Sequence, residues 1–154
     1  MIPDRVVEVL QGPAIMLVGT RDAALRPAHT CAVGAVVDRD REAVTFFVPE
    51  SRSARLLSDL QDNGRVAFSF GWVSHEAYQL KGTYLSSRPT TDEDVARQEA
   101  YRTKLLAALR QVYPDETARP LALGVAYHPG VAVTFRVEHV FLQTPGPGAG
   151  NRIA

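Results

Sequence analysis

Hydrophobic positions along this chain recur mostly at strand spacing. Residues 14–20, Ala-Ile-Met-Leu-Val-Gly-Thr, form an apolar run of strand length, and residues 21–25 carry enough polar character to turn the chain. Two further β-rich runs, 29–37 and 43–48, flank the charged link Asp38-Arg-Asp-Arg-Glu42, whose length suits a hairpin. A third hairpin is predicted from Val66, Phe68, Phe70 and Trp72 in 65–73, then Tyr78, Leu80, Thr83 and Leu85 in 77–86, with Ser74-His-Glu76 between them. Residues 131–143, rich in Val and Phe, close the series as a last strand.

The period changes to that of a helix in three places. Val6, Val7 and Leu10 share a face behind Pro3, and Gly12-Pro13 stops that segment. Within 51–60, Leu56, Leu57 and Leu60 share a face, with Asp62-Asn-Gly64 as the stop. Thr91 then caps a long helix with Asp92, Glu93 and Asp94 in its first turn, where the helix dipole favours negative charge. Its apolar stripe reads Val95, Tyr101, Leu105, Leu109 and Val112, and Pro114 ends it after about six turns. Residues 119–125 are ambiguous, and the Pro- and Gly-rich segment 144–150 reads as an ordered turn or a loose end.

Six or seven antiparallel strands with a long helical insertion argue against a doubly wound parallel sheet, which needs helices between almost all strands. Closure into a mainly β barrel removes the strand edges and gives the alternating residues an interior. The 154 residues, 45% hydrophobic and 22% charged, suit a single domain spanning 1–154. Zero net charge and a pI near 6.9 remove the long-range pull on which nucleic-acid and anionic-membrane binders rely, so any anion is expected to be captured locally. One cysteine, Cys31, no signal-like amino terminus and no apolar run of membrane-spanning length make a cytoplasmic, non-membrane protein the expectation.

Candidate chemistry concentrates in Phe46-Phe-Val-Pro-Glu-Ser-Arg-Ser-Ala-Arg55. Ser51, Arg52, Ser53 and Arg55 stand at a strand-to-helix junction, where guanidiniums, hydroxyls and helix-start N–H groups together suit a phosphate. The same residues read equally well as a helix cap with two solvated arginines. His29 and Cys31 share a strand face, but the other histidines supply no second pair at ligand spacing, so no metal is assigned. His75-Glu76 reads as a polar turn, Trp72 and Tyr78 as core or a cleft wall, and Asp92 to Asp94 as dipole-complementing charge. No Ser-His-Asp order and no glycine-rich nucleotide turn is present.

The run TFFVPESRSARLLSDLQDNGRVAFSF resembles the strand, phosphate turn, short helix and following strand of the pyridoxamine 5'-phosphate oxidase-like, FMN-binding split barrels. LRPAHTCAVGAVV and YQLKGTYLSS resemble that family's neighbouring strands, so the similarity covers residues 5–88, with a looser match over 131–143. The resemblance implies a homodimer with FMN in clefts between subunits. It implies phosphate contacts from Ser51 and Arg52, with Ser53 where the family usually has a second cation and Arg55 supplying charge one turn on. The ring would face His29, Thr30, Cys31 and Ala32, with Phe47, Val48, Gln79 and Lys81 alongside. The carboxyl-terminal residues with which the oxidases hold pyridoxal are missing, and Gly148 and Gly150 stand there instead. The expectation is therefore an FMN-dependent oxidoreductase of another substrate, exchanging electrons with a small-molecule donor or acceptor. The alternatives are a non-catalytic flavin-binding module, or a barrel using the deazaflavin F420 or haem.

Overall fold

The computed structural model describes residues 1–154. Its elements are α1 (Asp4–Gln11), β1 (Ile15–Arg21), β2 (Pro27–Cys31), β3 (Ala35–Val37), β4 (Ala43–Pro49) and α2 (Ala54–Asn63). After these come β5 (Arg65–Gly71), β6 (Ala77–Pro89), α3 (Asp92–Leu109), α4 (Asp115–Leu123) and β7 (Gly130–Leu142). All strand pairs are antiparallel, in the order β2-β1-β5-β6-β7-β4-β3.

The two ends of that order are consecutive in the chain, and this closes the barrel. The single strand expected over 29–37 is instead bent sharply into β2 and β3. Gly34 sits at the bend with φ +93°, a region that penalises any side chain. Through the bend, Ala32 N–H donates to Met16 O of β1, while Val33 N–H donates to Phe47 O of β4 and Phe47 N–H to Gly34 O. One segment thus bridges β1 and β4 and leaves no open seam.

Inward-facing residues alternate along each strand. Met16, Val18, Val44, Phe46, Val66, Phe68, Leu80, Val133 and Phe135 all belong to one buried cluster. Phe46 and Phe68 stack at 5.2 Å between ring centroids, and Phe135 lies 6.0 Å from each, filling the centre. Helix α1 adds Val6, Val9 and Leu10 to this core, and α2 adds Leu56 and Leu60. Trp72 packs against α1 and donates Nε1–H to Val9 O at 2.9 Å, so the cleft-wall reading of this residue gives way to a structural one. Glu76 likewise accepts from Arg5 and from Tyr78 Oη–H, which ties the third hairpin turn to α1.

The long helix is shorter than its sequence pattern suggests: 18 residues, or five turns, ending at Leu109. Gln111 and Val112 N–H groups bond three residues back, and Val112 is exposed rather than on the apolar stripe. Pro114 disfavours helical backbone at the residue before it and instead begins α4. Helices α3 and α4 form a hairpin with its own small core of Leu105, Leu109, Ala118 and Ala122. The tail is ordered: Gly150 N–H donates to Leu142 O and Ile153 N–H to Val140 O, so it returns along the end of β7.

The start of α3 carries a pH-dependent increment of stability. Buried Asp94 accepts from Thr91 N–H and Oγ1–H and from the Arg88 guanidinium, in a reciprocal capping box. Burial pushes the Asp94 carboxyl up, but the Arg88 and Thr91 hydrogen bonds outweigh it and hold the group below the ordinary carboxyl range. A depressed folded pKa means that this stabilisation is complete above the unfolded value near 4 and is lost as pH falls through the folded one. Asp94→Asn is expected to cost about 2 kcal/mol at pH 7, with the gap to the parent narrowing below about pH 4. Urea unfolding across that pH range checks it.

Candidate functional site

Strand register builds the site on the outer face of the sheet. Gly19 pairs with His29 on one side and Ala67 on the other; Ala67 pairs with Lys81, and Lys81 with His139. Paired residues point to the same face, so these five form one row across four strand interfaces. Its middle positions are glycine and alanine, and its ends are His29 and the Lys81–His139 pair. The result is a flat-floored trough of about 700 Å³, completed by Arg21, Pro27, Arg65, Gly82 and Glu138. That volume lies in the range of small-molecule sites.

The floor is flat by composition. A Cβ built on Gly19 would meet Ala67 O at 3.6 Å and Ala67 Cβ at 3.8 Å, ordinary contact distances, and Gly19 has no positive φ. Neither backbone geometry nor packing therefore requires glycine there. What a side chain would occupy is the trough itself.

Charge in the trough is one-sided, with Arg21, Arg65 and Lys81 against Glu138. Glu138 accepts from Thr83 Oγ1–H at 2.6 Å and pairs with Arg65 at 3.3 Å; the Thr83 bond above all holds its carboxyl below the usual range. Lys81 Nζ lies 4.9 Å over the Phe141 ring. His139 Nδ1 is shielded from solvent and has no hydrogen-bond partner in the chain, an unmet polar group in the trough wall.

A small cup of about 50 Å³ adjoins this trough. Val18, Thr30, Arg52, Arg55 and Leu56 line it, and it shares Thr20, Ala28 and His29 with the trough. Residues Glu50–Arg52 form a tight 3₁₀ turn before α2, which places Ser51 and Arg52 on the surface. Arg55 donates Nε–H to Asp59 at 2.8 Å and reaches Asp22 at 3.1 Å; Asp59, 3% exposed, also accepts from Thr20 Oγ1–H. Arg52 takes part in none of the chain's ion pairs and is free to meet an anion.

The residues singled out in the sequence divide among several places. His29 and Lys81 wall the trough, while Thr30, Arg52 and Arg55 line the cup. Ser53 is buried and spends its hydroxyl on Glu50 O at 2.8 Å, so it stands away from any phosphate. Val48 and Phe47 lie on β4, beyond β7 in the sheet order; Val48 is in the barrel core, Phe47 is buried on the opposite face beside Gly34 and Tyr101, and neither meets the trough. Cys31 and Ala32 line a second cavity under the helical hairpin. Gln79 is one row away and donates to Ser69 Oγ at 3.0 Å. No group of three or more His, Cys, Asp or Glu side chains is placed to hold a metal ion. Gly19, Ala67, Arg65, Glu138 and His139 were not picked out by sequence; only the register joins them.

No protein-family model and no curated protein matches the sequence. Solved structures do. An F420 reductase superposes with a TM-score of 0.60 at 15% identity, covering 90% of this chain and 98% of its own. HupZ from Group A Streptococcus gives 0.57 at 19% identity, over 97% of this chain and all of its own. A FAD-binding protein from Mesorhizobium loti gives 0.50 at 12% identity, over 91% and 92%.

Proposed function

On the premise that the chain carries the split-barrel fold of the pyridoxamine 5'-phosphate oxidase-like proteins, we propose that its trough binds a flavin phosphate, FMN, and that the protein is a flavin-dependent oxidoreductase. The observation that carries this reading is the row His29-Gly19-Ala67-Lys81-His139, a flat floor between polar walls with a surplus of positive charge. A flat heteroaromatic ring that carries an anionic group is the ligand such a surface suits. The FAD-binding neighbour supports a flavin, and the F420 reductase supports its deazaflavin analogue as the second reading.

In this reading Gly19 and Ala67 give the ring its floor. Lys81 and Arg65 offset negative charge, and His139 offers Nδ1 to a polar ring atom. Arg52 and Ser51 would hold the phosphate at the rim of the small cup, while Arg55 keeps the turn in place through Asp59 and Asp22. The flavin supplies electron transfer; the chain supplies orientation and charge, and no side-chain acid is needed. We further propose a homodimer, because Ile15 and Leu17 stand 49% and 43% exposed beside the trough on the same face. Such a dimer would cover that apolar strip and leave the ligand between subunits.

The test is the visible spectrum of the purified chain, followed by FMN and F420 titrations and steady-state reduction by NADH or NADPH. One FMN per chain with turnover supports the proposal, and binding without turnover leaves a flavin carrier. Binding of F420 alone shifts the cofactor, an intense violet band identifies haem, and no chromophore binding in the trough overturns the reading. Sedimentation at micromolar concentration tests the dimer.

A further inference from the structure

The second cavity lies between the α3–α4 hairpin and the edge of the barrel, with a volume of about 350 Å³. It exists because the hairpin keeps its own core and meets the barrel through Tyr101, which packs against both cores, and through Val73 of the turn after β5. Tyr101 Oη–H donates to Ala14 O at 2.7 Å and pins the hairpin at that point. Beyond it the surfaces separate, and Ile15, Cys31, Ala32, Leu105, Leu121 and Val125 line the gap, Ile15 standing where it borders the strip assigned to the dimer.

The polar groups deepest in the lining are already committed, while the Tyr113 side chain, 47% exposed, keeps its hydroxyl without a partner in the chain. The Tyr101 hydroxyl is used at Ala14, and burial raises its pKa well above the ordinary value, so it stays a neutral phenol. Arg102 donates to Leu123 O at 2.7 Å and lies over the Tyr127 ring at 4.4 Å. The Cys31 thiol, exposed and unpaired, is a weak hydrogen-bonding group. A strongly polar ligand would surrender its hydration against walls that are apolar except at Arg102 and the Tyr113 hydroxyl, whereas an apolar one gains from nearly all of them.

The geometry points to a binding site for a neutral, largely apolar small molecule, one per chain, held between the helical hairpin and β1–β2 and distinct from the trough. Its volume falls at the lower end of small-molecule sites. Cys31 and His29 are two residues apart on the same face of β2, a separation of about 7 Å, so the cavity opens beside the trough. That position suits the apolar part of a molecule reacting at the trough, a role that rests on the flavin reading; the binding itself does not.

The experiment uses the full chain with N-phenyl-1-naphthylamine, an uncharged probe whose fluorescence rises in apolar surroundings, and iodoacetamide alkylation of Cys31 as a position-specific reporter. Saturable binding at one probe per chain is expected, slowing Cys31 alkylation at least tenfold. Val125→Trp, which fills the gap from a loop, and Leu121→Glu, which puts charge at its exposed mouth, should each weaken the probe at least tenfold and leave FMN affinity unchanged. Two variants are used so that poor folding of one leaves the other decisive. Absence of probe binding, or binding that leaves Cys31 alkylation and both variants unaffected, overturns the inference. FMN titration of the same preparations reports separately: protection of Cys31 without FMN binding keeps this site and removes the flavin reading, and the converse does the opposite.

Discussion

Gly19→Leu is expected to lower FMN affinity at least a hundredfold while the apo-protein unfolds at the same temperature or higher. The two halves of this expectation have separate causes. Glycine inside a strand costs about 0.5–1 kcal/mol relative to a residue with a side chain, because the unfolded chain loses more freedom on ordering. The β1 backbone has no positive φ at Gly19, and a Cβ there meets only ordinary contacts at 3.6 and 3.8 Å from Ala67. Stability is therefore not what glycine provides. A leucyl side chain would stand on the floor between His29 and Lys81, in the space assigned to the ring. A hundredfold loss corresponds to about 2.7 kcal/mol, within what displacing a ligand from its main contact surface costs. Gly19→Ala should fall between parent and Gly19→Leu. Fluorescence titration with FMN and thermal unfolding of the same samples decide it: undiminished FMN affinity in Gly19→Leu would place the ligand elsewhere.

How far this site could be read in the sequence depends on whether a feature is local. Thr91 with Asp94 announced the start of α3, and Asp62-Asn-Gly64 the end of α2, because caps bond within a few residues; Gly64 N–H indeed closes on Leu60 O. The bend that divides 29–37 is set by Gly34 meeting two strands at once, and apolar periodicity does not register that. Residues 119–125 read ambiguously because Pro120 sits inside α4, where it removes a donor from a helix that packing against α3 nonetheless sustains. The trough was the least legible part. His29 and Lys81 were picked out individually, but Gly19, Ala67 and His139 acquire meaning only when antiparallel register lines them up. In the sequence, Gly19 is one small residue in an apolar run. The resemblance brought Phe47 and Val48 to the cofactor, whereas sheet order sets β4 beyond β7 and both are buried there, Val48 in the barrel core and Phe47 on the opposite face of the strand beside Gly34 and Tyr101.

The two arginines of the phosphate turn are expected to fail in different ways, and the contrast tests the turn more sharply than removing both. Arg52→Ala should leave the unfolding midpoint within about 0.5 kcal/mol of the parent, as for other exposed side chains without partners. It should weaken FMN by 10- to 100-fold, the value of one charge-assisted bond of about 1.5–3 kcal/mol, and leave riboflavin, which lacks the phosphate, unchanged. Arg55→Ala removes the only cation bonded to Asp59, a carboxylate 3% exposed that would keep just the Thr20 hydroxyl, and releases Asp22 from its tie to α2. Because Arg55 is itself half exposed, water replaces part of what is lost, and the cost is set at about 2 kcal/mol rather than that of a fully buried pair. FMN and riboflavin should then weaken together, since the cup loosens without losing the phosphate's own partner. If Arg55→Ala instead matched Arg52→Ala, with stability kept and FMN selectively weakened, the phosphate would be bound by Arg55 at the expense of its pairing with Asp59. Equal FMN and riboflavin affinities in the parent would remove the phosphate from this turn and return Ser51 and Arg52 to the role of a solvated helix start.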